Sequence, residues 1–163
     1  MHRPLLPSDR ELYVSLAKAF YSTDAVFQPI PEKHFNDTFD ELMRSDVYTF
    51  CRILEYEGTP AGYALMSRTY SQEAGGMAVW IEEIYILPEY RGKGLGSQML
   101  RIAIAEAVSA MGCDTVELMV LDCNKRAYRC YLALGFEDVP ESTQTMDIHG
   151  TSWVRHKMKL HCR

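Results

Sequence analysis

Long hydrophobic runs are missing from this chain. No uninterrupted apolar stretch approaches the roughly 20 residues of a membrane-spanning helix, and the N-terminus has no signal-peptide layout. Paired cysteines are missing too. Cys51, Cys113, Cys123, Cys130 and Cys162 are odd in number and scattered, with no CxxC pair. They read as reduced thiols of a cytoplasmic protein, against a disulfide framework and against a metal site. Excess positive charge is absent. The net charge of −5 argues against a nucleic-acid partner and an anionic membrane surface, and suits a cationic substrate. Repeats, low-complexity tracts and linkers are also absent, so residues 1–163 read as one domain. Apolar content of 47% and charged content of 24% are ordinary for a globular protein that buries a full core.

What is present alternates between helical and strand patterns. Residues 1–4 suit a short edge strand. Ser8 suits an N-cap for a helix ending near Tyr21, with Leu12, Leu16, Ala19 and Phe20 at helical spacing. Residues 22–30 read as a loop. Pro31 suits a first helical position, before a stripe of Phe35, Phe39, Leu42 and Met43. Residues 47–56 and 61–69 form a hairpin about a turn at 57–60, and residues 78–87 are a further strand. The longest helix is expected over 95–111, with Leu100, Ile104, Ala107, Val108 and Met111 on one face and Gly112 after its end. A strand over 115–121 then makes a parallel, right-handed βαβ step. A short helix over 125–134 shows Ala127, Cys130, Tyr131 and Leu134 on one face. Two strands over 136–139 and 151–160 close the chain, with a turn near 147–150. The fold class is α+β, or mixed α/β.

Residues 80–99 organise the rest. A strand ends at Pro88, a basic glycine loop follows, and a helix begins at Leu95. Glycines let backbone N–H groups approach a ligand. A helix start adds unpaired donors and the positive end of the helix dipole, which together suit phosphate or pyrophosphate. Arg91 and Lys93 add charge at the rim. The loop is no Walker A motif, because no Gly-Lys precedes Ser or Thr. It fits a dinucleotide fingerprint poorly. The acidic ribose partner about 20 residues on would fall near Asp114, before the next strand rather than at its end.

Arg91-Gly92-Lys93-Gly94-Leu95-Gly96 resembles the Q/R-x-x-G-x-G/A signature of the GNAT superfamily of N-acetyltransferases. Asn124, Ala127, Tyr131, Gly135 and Phe136 are similarly spaced to its second signature, N-x-x-A-x-x-x-Y-x-x-x-G-F. The run over 81–86 resembles the spermidine/spermine and thialysine acetyltransferase branch. The resemblance implies a single GNAT-like domain. Its central sheet would be mixed, mostly antiparallel, twisted and flanked by helices, with the parallel βαβ step splayed to hold acetyl-CoA.

It also implies acetyl-CoA as co-substrate and no metal. Pyrophosphate would lie on Arg91, Gly92, Lys93, Gly94, Leu95, Gly96 and Ser97. The pantetheine arm would pair with the strand edge at Ile84, Tyr85 and Ile86, where a backbone N–H near Ile86 polarises the thioester carbonyl. Asn124 would cap its helix and bond the arm, with Ala127 and Tyr128 beside it. Tyr131 matches the family tyrosine that protonates the leaving sulfur, and a phenol of pKa about 10 is protonated at neutral pH. By helical pattern alone Tyr131 reads as a packing residue, an order that the match to the family motif reverses, and Tyr128 is its competitor for the acid role.

Glu82 matches the position that binds or deprotonates the amine. Glu83, next along the strand, should face the opposite side of the sheet. Tyr21, Asp24 and Phe27 are the acceptor-side candidates, with Gln28 beside them. The expected reaction is acetyl transfer to a small cationic primary amine by direct attack on the thioester. A protein or peptide amine and a non-catalytic CoA-binding module are the alternatives. Dimers are common in the resembled family, so the resemblance points to a homodimer, but no interface pattern stands out and the sequence leaves the oligomeric state open.

Overall fold

In the computed structural model, the structure describes residues 1–23, 26, 29–72, 75–148 and 150–162. The acceptor-side candidates Asp24 and Phe27, and Gln28 with them, lie outside the described residues. The strands among the described residues form one mixed eight-stranded sheet. Two compact units make up the chain. One is Met1–Arg68 with Glu82–Leu100, the other Thr69–Ile81 with Arg101–Arg163.

The first unit begins with β1 (His2–Pro4), α1 (Arg10–Tyr21) and α2 (Glu32–Arg44). β2 (Thr49–Tyr56) and β3 (Thr59–Ser71) follow, then the C-terminal half of β4 (Gly76–Ile86). β1, β2 and β3 are antiparallel neighbours, with β1 at the edge as expected. Glu57 and Gly58 both have positive φ, the two-residue geometry that matches hairpin twist. Tyr13, Leu16 and Ala17 sit one helical turn apart on α1, Phe35 and Phe39 on α2. They pack into one core with Cys51, Ile53, Tyr63, Leu65 and Tyr85. The Tyr13 ring lies 5.9 Å from Phe39 and 5.8 Å from Tyr63.

Two start signals are corrected. Ser8 is not the N-cap of α1. It lies inside a short 3-10 turn, Pro7–Asp9, and Asp9 occupies the cap position. The Asp9 carboxylate accepts from the Leu6 N–H at 2.8 Å and from Arg3 at 2.6 Å, so it ties the turn to β1. The Arg3 bond holds the Asp9 carboxyl below its ordinary value. Pro31 stands just before α2 rather than inside it.

Helix α3 (Leu95–Met111) has the expected bounds but a rotated buried stripe. Leu95, Met99, Leu100, Ala103 and Ala107 are buried, whereas Val108 is 41% exposed and Ile104 half-buried. The stripe follows i, i+4 steps, and its alanines permit a closer approach than the Ile104 and Val108 ridge. The Met111 side chain lies outside the described set.

In the second unit, the N-terminal half of β4 runs parallel to β5 (Thr115–Leu121), Ala78 opposite Thr115. α4 (Lys125–Ala133) leads to β6 (Glu137–Asp138), β7 (Gln144–Ile148) and β8 (Thr151–His161). β8 pairs antiparallel with β5, β6 and β7. β7 is a strand beyond the two expected at this end. Its polar residues give weak alternation, and pairing with β8 supplies what local propensity does not. β5 is buried along nearly its whole length, so Glu117 needs partners. It receives Lys157 at 2.9 Å and Lys159 at 3.6 Å from β8. A buried charge paired this way avoids the desolvation cost of a lone carboxylate.

No helix of the described residues is long and apolar enough to cross a membrane. None of the described cysteines is in a disulfide.

Candidate active site

The glycine loop leaves β4 through a 3-10 turn at Pro88–Tyr90. Gly92 and Gly94 have φ of +84° and +78°, a region that disfavours residues with a Cβ. A Cβ built at either would meet nothing within 4 Å, so the chain leaves open space above the loop. Gly96, in the first turn of α3, has only the Ile86 side chain nearby, at 4.0 Å. The 17-residue helix then presents its N-terminal dipole to that space. An oxyanion such as pyrophosphate fits this cradle.

The two loop cations are held more closely than a free rim would have them. Arg91 Nε donates to the Ile86 carbonyl at 2.9 Å, with its guanidinium 5.5 Å from the Tyr85 ring. Lys93 Nζ lies 4.1 Å from the Tyr56 ring and 5.5 Å from Tyr90. The strand end beside them is held by a close backbone approach. A Cβ at Gly62 of β3 would stand 2.1 Å from the Tyr85 carbonyl oxygen. A lone glycine inside a strand pattern was the available signal for that approach.

The two glutamates of β4 separate as the strand period requires. Glu82 is exposed and accepts a hydrogen bond from the Ser67 hydroxyl. Glu83 turns toward the core side of the sheet and is half-buried. There it accepts a hydrogen bond from the hydroxyl of Tyr63 on β3, and the Tyr21 phenol of α1 lies close enough to influence its carboxyl. Burial pushes the Glu83 carboxyl above its ordinary value, the two phenols pull it back, and Glu82 pushes it up further. Burial and Glu83 together push the Tyr21 phenol up to about 12. Tyr21 is also edge-on to Phe20 and Phe35. The structure thus brings Tyr21 to Glu83. The sequence had grouped Tyr21 with Glu82, and had offered no role for Tyr63.

In the second unit, Asn124 caps α4: its side-chain oxygen accepts from the Ala127 N–H at 3.2 Å. Tyr131 is the buried residue of that helix, 5.9 Å from the Phe136 ring. Burial, with a smaller contribution from Cys130, pushes its phenol well above the ordinary value. Ala127 and Cys130 are half-buried, so Tyr131 alone anchors the helix face. Tyr128 donates to Asp138, and its ring lies 5.5 Å from His156. Among the described residues, no group of three or more His, Cys, Asp or Glu side chains is arranged to hold a metal ion.

The mixed sheet has one parallel βαβ step, and a glycine loop opens its helix. The chain matches the acetyltransferase (GNAT) family over residues 11–136 and belongs to it, which makes it an enzyme of the N-acetyltransferase class. It is similar to a thialysine N-epsilon-acetyltransferase from Bos taurus, 41% identical over 116 residues, which are 63% of this chain and 67% of that protein. A mouse protein of the same name is 41% identical over 50% of this chain, but the match spans only 46% of the relative. A spermine/spermidine N(1)-acetyltransferase from Bacillus subtilis is 31% identical over 52% of this chain and 57% of its own length. Among solved structures, an N-acetyltransferase from Staphylococcus aureus superposes with a TM-score of 0.82 at 21% identity, covering 100% of this chain and 98% of that one. An Arabidopsis thaliana NAA60 solved with acetyl-CoA gives 0.77 at 15% identity, covering 99% and 98%.

Proposed function

We propose that this chain is one N-acetyltransferase domain over residues 1–163 that transfers an acetyl group to a small cationic primary amine. Acetyl-CoA is the donor and supplies an activated thioester. The observation that carries the reading is the open cradle above Gly92, Gly94 and Gly96 at the start of α3. The similarity to thialysine and spermine/spermidine acetyltransferases supports a small amine, as does the net charge of −5.

The chain's own residues divide the work. The backbone N–H groups of residues 91–97 hold the pyrophosphate, with Arg91 and Lys93 adding charge. The edge at Ile84, Tyr85 and Ile86 carries the pantetheine amides, and an N–H near Ile86 faces the thioester carbonyl. Asn124, Ala127 and Tyr128 line the arm. Glu82 draws the acceptor cation from the exposed side of β4, and Tyr21, with Asp24 and Phe27, belongs to the acceptor side.

An alkylammonium has no lone pair, so it must lose one proton before it attacks. As the C–N bond forms and the C–S bond breaks, nitrogen loses a second proton and sulfur gains one. Tyr131 is the acid for that sulfur. Its buried phenol stays protonated at neutral pH, as an acid must before transfer. A reduced-thiol, cytoplasmic homodimer completes the proposal. An amine-library screen with acetyl-CoA, detecting released thiol, tests it. Turnover confined to small amines such as polyamines and thialysine is the expected result, and turnover confined to peptides would refute the small-amine acceptor.

A further inference from the structure

Building on that reading, we propose that Glu83 is the catalytic base that takes the first proton of the acceptor ammonium, while Glu82 attracts the cation from the surface. Glu83 is half-buried beside Tyr13 and Tyr21 of α1, yet among the described residues no Lys, Arg or His forms an ion pair with it. Glu117, the fully buried glutamate of the sheet, has two lysines. A buried carboxylate without a cation is costly unless something compensates it. Phenols compensate part: the Tyr63 hydroxyl donates to Glu83, and the neighbouring Tyr21 phenol also favours its charged form. An alkylammonium bound there supplies the missing positive charge.

Position along the strand agrees. Glu83 shares its face with Tyr85, whose ring lies 6.3 Å from Phe20 near the C-terminal end of α1. Tyr21 ends that helix, where the acceptor-side segment begins. Glu82 points the other way, to solvent and Ser67.

The titratable groups around Glu83 are Tyr13 and Tyr21 of α1, Cys51 of β2, Tyr63 of β3 and Glu82 beside it. Burial holds Tyr13, Cys51 and Tyr63 well above their ordinary values, so they stay neutral. The carboxylates remain as proton acceptors. The ammonium N–H bond breaks and its pair stays on nitrogen. The proton goes to a Glu83 oxygen and leaves to water after turnover.

The full chain is assayed with spermidine and with thialysine as a function of pH. Calorimetry follows spermidine binding without acetyl-CoA. Glu83→Gln should lower kcat/KM about 100-fold, as loss of a general base does, and remove the acid limb of the pH profile. It should also weaken spermidine binding about 10-fold and leave CoA binding intact, which shows that it is folded. Glu82→Gln should raise KM a few-fold, roughly as an exposed charge would, and keep the acid limb. Tyr63→Phe keeps the carboxylate but removes a donor to its charged form, so the acid limb should move to higher pH. An acid limb that survives in Glu83→Gln, or is lost from Glu82→Gln instead, overturns the assignment. So do spermidine heats that are equal, or equally absent, in wild type and Glu83→Gln. A wild type that binds spermidine but not CoA keeps Glu83 in place and loses only the donor reading.

Discussion

The glycine loop and the Glu83 wall sit on one short stretch of chain, yet they are built by different means. The loop is backbone. Gly92 and Gly94 hold left-handed conformations and α3 starts immediately after, so its anion chemistry is contained in consecutive residues. The wall is side chains from α1, β3 and β4: Tyr21, Tyr63 and Glu83. The first kind of site keeps its identity under almost any substitution that preserves glycine. The second depends on three elements meeting, and each contributes a group whose proton affinity the others alter. A fixed donor and a variable acceptor is the division this construction permits.

The largest expected effect separates the two. Gly94→Val should weaken CoA binding at least about 1000-fold, because a branched side chain enters the phosphate space and strains a left-handed residue. Gly96→Val fills the same space from an ordinary helical position, where its Cβ would first meet only Ile86 at 4.0 Å. Equal losses in both variants assign the effect to filled space, and a loss confined to Gly94→Val assigns it to backbone strain. Calorimetry with CoA measures both. Spermidine binding should survive in each if the wall is independent of the loop.

Tyr131→Phe comes next. It should lower kcat about 10- to 1000-fold, the range for losing a general acid, with CoA affinity little changed. Wild-type turnover in single-turnover assays would leave Tyr131 as a packing residue against Phe136. Gly62→Ala tests the seam that both sites share. Its Cβ would stand 2.1 Å from the Tyr85 carbonyl, so β3 or β4 must shift. A loss of about 1–3 kcal/mol in denaturant unfolding is expected for such overpacking. CoA affinity and amine affinity should fall together, since Tyr85 lies between the loop and Glu83 in sequence.

The same contrast explains what the sequence disclosed. The order of helices and strands was legible, including α3 at its observed bounds, because strong periodicity and glycine punctuation are local. The β4–β5 parallel step followed from one helix joining two strands. β7 was not legible, since Gln144–Ile148 depends on its partner β8. The face of α3 was displaced because periodicity marks a stripe without saying which of two adjacent ridges packs closer. Ser8 looked like a cap because its type is right, but Arg3 and Leu6 select Asp9. Glu82 and Glu83 were known to diverge, and only Tyr63, distant in sequence, shows which one the core encloses.

The smallest expected effect tests that enclosure without any substrate. Burial raises the Glu83 carboxyl above its ordinary value in the folded chain. The folded state therefore binds this proton more tightly than the unfolded chain does. The stability it contributes is complete below the unfolded value and is lost as pH rises through the folded one. Asp9 has the opposite sign, because Arg3 lowers its carboxyl, and its contribution is lost as pH falls. The comparison must therefore be between wild type and Glu83→Gln across one pH series, which cancels Asp9 and the surface carboxylates. From the ordinary carboxylate range upward, Glu83→Gln should lose less stability than wild type in denaturant midpoints. Parallel curves would mean that Glu83 titrates as a solvated group, and the distinction between a backbone donor site and a side-chain acceptor wall would lose its electrostatic basis.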